Sequence, residues 1–151
     1  MSTMTPEVRR RTRGKCNVLV VDDCPDIQEL HARFLEASGF EVYTAGDGQG
    51  ALDVARTAVP DVVVADITMP VMNGFELCER LRADHATRYV PIVLVTGDPS
   101  PEARVAAERS GCDVVLGKPC SGSLLLATVR LLLERPHAAG RLDRAWTVAC
   151  A

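Results

Sequence analysis

From Asn17 onward, hydrophobic and polar positions fall into two alternating rhythms. Short unbroken apolar runs, such as VLVV at 18–21, suit strands covered on both faces. Between them lie longer stretches whose apolar residues return every three or four positions, the period of a helix. Pro25 opens the first of these, with Ile27, Leu30, Phe34 and Leu35 on one side, and Gly39 closes it. EVYTA (41–45) predicts a second strand, and GQGALDVARTA (48–58) a helix ended by Pro60. VVVAD (62–66) predicts a third strand, and GFELCERLRAD (74–84) a helix with Phe75, Leu77, Cys78 and Leu81 turned inward. PIVLVT (91–96) reads as a fourth strand and PEARVAAERSG (101–111) as a helix closed by Gly111. VVLGK (114–118) predicts a short fifth strand, and SGSLLLATVRLLLER (121–135) a last helix capped by Ser121.

Five β–α units with short connections specify a parallel sheet with helices on both faces, a doubly wound α/β domain. Ligands of such sheets sit beyond the carboxyl ends of the strands, near the switch in strand order. Chemistry is therefore expected at the strand tips.

Those tips are unusually polar. The first strand ends in Asp22 and Asp23, the third in Asp66, the fourth in Thr96 and the fifth in Lys118. Asp and Thr often mark where a strand meets a loop, which would account for any one of them. It strains for all four, and most at Lys118, because the chain has only two lysines against fifteen arginines. Two carboxylates about 4 Å apart repel by roughly 4 kcal/mol at an effective dielectric near 20. Three that converge must lose charge or bind a cation. Hard oxygens without histidine or cysteine favour Mg²⁺ (or Mn²⁺) over zinc. Acids, one lysine and one hydroxyl suit phosphoryl transfer onto a carboxylate.

At this point the sequence resembles the receiver domain of two-component response regulators. VLVVDD, VVVADITMPVMNGFEL, PIVLVTG and GCDVVLGKP occur in that family's order and with its usual separations, over roughly residues 16 to 134. The resemblance implies a flavodoxin-like and CheY-like fold with five parallel strands in the order 2-1-3-4-5. It implies Asp66 as phosphoacceptor, with Asp22, Asp23, Asp66 and the backbone carbonyl of Thr68 as ligands of Mg²⁺ or Mn²⁺. Thr96 would be the hydroxyl that moves toward the phosphoryl group, Lys118 its cationic partner, and Pro119 would follow a cis peptide. Met69, Pro70 and Gly74 match the turn after the phosphoacceptor. The implied partners are a histidine kinase or histidine phosphotransfer protein and a downstream protein target, with a monomer or a phosphorylation-dependent dimer as the assembly.

The sequence also departs from the pattern. Many receivers carry Tyr or Phe three residues before the strand-five lysine; here the position is Val115, so output would lean on the loop from Gly97 to Pro101 and the helix after it. GDPSP in that loop holds two prolines, which would stiffen it. Cys24 and Cys120 flank the expected site, as redox tuners or as idle thiols. Asp26 stands in the first turn of the helix that Pro25 opens, where an acid complements the helix dipole.

At 151 residues the chain has room for one domain with a substantial core, expected over 16–135. Its 47% hydrophobic and 25% charged residues are an ordinary globular balance. No apolar stretch approaches ~20 residues, the span of a bilayer. The N-terminus has positive charge without an apolar run behind it, so it is not a secretory signal, and a cytoplasmic location is the expectation. The six cysteines (16, 24, 78, 112, 120, 150) show no CxxC spacing and read as reduced thiols. Arg9, Arg10, Arg11, Arg13 and Lys15 crowd into a basic arm over 1–15 beside a single acid, Glu7. The remainder keeps 12 basic and 19 acidic residues, a net of −7, which disfavours nucleic acid. The tail, 136–151, contains Leu142, Trp146 and Val148 and is expected as a short helix, a docking segment or a disordered stretch.

Two other functions compete with a single-domain response regulator. A haloacid-dehalogenase-like phosphatase would place its nucleophile in a first-strand Asp-x-Asp pair, whereas Asp22 and Asp23 are adjacent. A receiver-like interaction module that is never phosphorylated fits Val115 but leaves Asp22, Asp23, Asp66, Thr96 and Lys118 unexplained.

Overall fold

The computed structural model describes residues 14–98 and 100–135, and the backbone of 148–149. Five β–α units follow one another: β1 (Asn17–Val21) and α1 (Pro25–Ala37), β2 (Glu41–Ala45) and α2 (Gly48–Ala58), β3 (Val62–Asp66) and α3 (Gly74–Ala83). β4 (Ile92–Thr96) with α4 (Pro101–Ser110) and β5 (Val114–Gly117) with α5 (Gly122–Leu133) complete them. The strands lie parallel in the order β2-β1-β3-β4-β5, as expected. One further strand, β6 (Val148–Ala149), pairs in parallel with β5 and makes the sheet six-stranded.

The predicted helix ends follow from local chemistry. Asp47, Asn73, Ser100 and Ser121 each accept a backbone N–H of the following first turn, at α2, α3, α4 and α5. Pro25 and Pro101 stand where the helix has no N–H partner to lose. Gly39 and Gly111, at φ of 98° and 94°, take the left-handed turn that ends α1 and α4.

The alternation of side chains along each strand divides the core in two. Leu19, Val63, Ile92, Leu94 and Val115 face one layer, where Leu52, Leu77 and Ala107 bring in α2, α3 and α4. Val18, Val20, Val64, Val93 and Leu116 face the other, against Leu35 of α1 and Leu125 of α5. All five positions of β3 and of β4 are buried, which explains their unbroken apolar runs. Each such side chain contributes about 1.5–3 kcal/mol, so the layers hold the strand tips in fixed register.

Of the tail, the described part is extended rather than helical. Leu142 and Trp146, like arginines 9–13, lie outside the described residues, as does Pro99 of the β4–α4 loop. Among the described residues, no helix is long and apolar enough to cross a membrane.

Candidate functional site

Because β1 and β3 are neighbours in register, with Val21 opposite Ala65, their tips bring Asp22, Asp23 and Asp66 together. One carboxylate oxygen from each lies within 4.8 Å of the others. Asp22 and Asp66 are only 4% and 5% exposed, while Asp23 is open to solvent. From the tip of β5, Lys118 reaches across and donates its Nζ to Asp66 Oδ2 at 3.0 Å. The other oxygen of Asp66 accepts the Thr68 N–H at 3.2 Å. Asp22 Oδ1 accepts the Cys24 N–H at 2.9 Å, which aims the carboxylate as the chain turns into α1.

Three carboxylates thus face one ammonium, and protonation responds. Burial raises the pKa of Asp22, and the charges of Asp66 and Asp23 push it the same way against the Cys24 N–H and Lys118. For Lys118, burial works against the charged form. The hydrogen bond and charge of Asp66, joined by Asp22 and Asp23, outweigh that and leave its pKa raised. The ammonium is therefore fixed in its charged state.

Thr96 ends β4, one position past the residue paired with Asp66, and is buried. Its hydroxyl is engaged with its own loop, donating to the Asp98 carbonyl (3.2 Å) and accepting the Asp98 N–H (2.9 Å). Its carbonyl accepts the Lys118 N–H at 2.7 Å, locking the tips of β4 and β5 together just before the cis Lys118–Pro119 peptide. A Cβ on Gly97 would meet nothing within 4 Å, so space does not demand glycine there. Gly74 is different. A Cβ there would lie 2.6 Å from the Asp66 carbonyl oxygen, so only glycine lets α3 start against the end of β3. Val115 is buried in the α2–α4 layer.

Other residues were not visible as site residues in the sequence. Gln28 donates its side-chain amide to the carbonyls of Asp22 (3.1 Å) and Ala45 (2.8 Å), joining the tips of β1 and β2. A glutamine one turn into a helix carries no such signal. His31 lies buried on α1; burial lowers its pKa and Lys118 adds to that, against Asp22, so a neutral imidazole stands behind the acids. The thiols beside the site are both free. Burial raises the pKa of Cys120, which disfavours the thiolate that redox chemistry needs. Asp26 occupies the first turn of α1, as the dipole reading expects.

At the carboxyl end of a parallel sheet, three acids and a lysine thus converge on one site. The chain belongs to the response regulator receiver domain family, whose sequence profile matches residues 18–130. Domains of this family work with histidine kinases and downstream targets and bind Mg²⁺ at an acidic pocket. The chain is 39% identical over 115 residues to the response regulator PleD of Caulobacter vibrioides, covering 76% of this chain and 25% of that protein. It is 36% identical to the probable transcriptional regulatory protein TcrX of Mycobacterium tuberculosis, covering 85% and 54%. It therefore spans between about a quarter and about half the length of these relatives. Among solved structures, the chemotaxis response regulator CheY4 of Vibrio cholerae is similar at 36% identity with a TM-score of 0.74, covering 78% of this chain and 98% of that one. A putative response regulator from Chloroflexus aurantiacus is similar at 30% identity with a TM-score of 0.76, covering 80% and 99%.

Proposed function

We propose that this receiver accepts a phosphoryl group on Asp66 in a Mg²⁺-dependent reaction and thereby changes its binding to a protein target. One observation carries the reading: the buried Asp66 carboxylate is held by an ammonium on one oxygen and a backbone N–H on the other, within reach of two more acids. The donor set is all oxygen, three carboxylates and a backbone carbonyl, which fits a hard divalent cation. Asp22, Asp23, Asp66 and the Thr68 carbonyl would hold it. When bound, the ion supplies positive charge against the phosphoryl oxygens and cancels the repulsion among the acids.

In the transfer, an Asp66 oxygen attacks phosphorus while the bond from phosphorus to the donor breaks, a histidine nitrogen in a kinase or a carboxylate oxygen in acetyl phosphate. Lys118 meets the negative charge that spreads over the transferred group. The Thr96 hydroxyl, tied here to Asp98, would leave that loop to offer the group a hydrogen bond. An acyl phosphate on Asp66 biases the β4–α4 loop, and with it the surface of α4, β5 and α5, toward a second state that a target reads.

The decisive experiment is incubation with Mg²⁺ and acetyl phosphate followed by intact mass. One added phosphoryl group is expected, lost in Asp66→Asn and in EDTA. Unmodified protein under these conditions would sink the reading and favour a module that binds without phosphorylation.

A further inference from the structure

The two sides of the sheet are finished differently. At one side, β2 borders solvent with half-exposed positions and a charged residue, Glu41, whose carboxylate accepts the Tyr43 hydroxyl at 2.9 Å. Charge on a border strand is a common defence against pairing with another chain. At the other side, β5 (VVLG) has no charged or proline residue and buries its first three side chains. Left as the border, it would present bare N–H and C=O groups on a flat aliphatic strand, a template for a further strand. In this chain it is not the border. β6 lies alongside it, with Val115 opposite Val148 and Leu116 opposite Ala149.

We propose that residues 148–149 shield the β5 edge by strand addition, keeping it from pairing with the same edge of a second copy of the chain. The reading rests on sheet topology alone and is independent of whether Asp66 is phosphorylated. It makes the border between α4 and α5 a closed surface, one that a strand-like partner opens only by displacing the chain's own segment.

Neighbouring residues of a strand point their N–H groups to opposite sides, so only one of Val148 and Ala149 donates toward β5. Proline at the donating position removes a ladder bond, while proline at the other is tolerated, as on any border strand. Val148→Pro and Ala149→Pro in the full chain, followed by residue-resolved amide exchange, therefore test the pairing. One substitution should speed exchange of the β5 amides that face away from β4 by about tenfold and leave β1 and β3 unchanged. The other should leave β5 near wild type and serves as the folded control. The variant that loses protection should also self-associate with rising concentration in sedimentation velocity, where wild type stays monomeric. Unchanged β5 exchange in both variants, or an equal effect of both, overturns the pairing. Faster exchange in a variant that stays monomeric overturns the shielding.

Discussion

Both ends of the sheet bury aspartates, and the two ends use them in opposite ways. At the amino ends of the strands, Asp113 Oδ2 accepts the Ile92 N–H (2.8 Å) and the Arg82 guanidinium (2.9 Å), and Asp61 accepts the Asn17 N–H (2.8 Å). Arg82 is held in turn by the carbonyls of Gly111 and Val90. Each buried charge there has its counter-charge or its donors. At the carboxyl ends, Asp22, Asp23 and Asp66 converge and share a single lysine. Burial of an acid therefore says little about function. An excess of one sign, held in place by packed strands, says much more.

The largest effect expected from this contrast lies at the balanced end. Asp113→Ala removes the counter-charge of the Arg82 guanidinium, 14% exposed, and the acceptor of the Ile92 N–H. Removing one partner of a buried pair costs about 3 kcal/mol or more, read as a shift in the urea midpoint. Phosphorylation by acetyl phosphate under native conditions should persist in the folded fraction. A cost below about 1 kcal/mol would mean the two ends are less different than their geometry implies.

Sequence alone made the carboxyl end legible and left the amino end dark, for a physical reason. Asp22, Asp66 and Lys118 each follow an apolar run directly, so the sheet's topology converts their positions into proximity. Asp61 and Asp113 precede their strands just as visibly, but what neutralises Asp113 is an arginine 31 residues away on α3. No local pattern joins the two. The five main strands and their helices were readable because each is longer than its caps and keeps one period throughout. β6 is two residues long and has no period to read. Gln28 and His31 were hidden for another reason: on a helix, a polar residue turned inward looks the same in sequence as one turned outward.

A smaller effect should appear at the unbalanced end when a cation is supplied. At tenfold above its dissociation constant, Mg²⁺ stabilises the folded chain by about 1.4 kcal/mol if it binds only there. Thermal melts with and without Mg²⁺ should show that gain in wild type and in variants of Glu41. It should vanish in Asp22→Asn and Asp66→Asn. An equal gain in those two variants would locate cation binding elsewhere.

The smallest effect is the most diagnostic, because here a substitution should stabilise. The pKa of Asp22 is raised in the fold, so the folded chain holds that proton more tightly than the unfolded one. The advantage is complete below the ordinary carboxylate pKa of about 4 and is lost as pH rises through the raised value, which leaves the cost of a buried carboxylate crowded by Asp66 and Asp23 at neutral pH. Asp22→Asn, measured in EDTA, should therefore be more stable than wild type at pH 7. The gain should shrink toward nothing as pH falls to 4. Gln28 should keep its hold on the residue 22 carbonyl in the variant, since that bond is to backbone. A pH-independent gain would mean that it does not come from the charge of Asp22, since both burial and like-charge crowding act only on the ionised carboxylate. A loss would mean the Cys24 N–H, left with a neutral acceptor, matters more than the two acids facing Asp22.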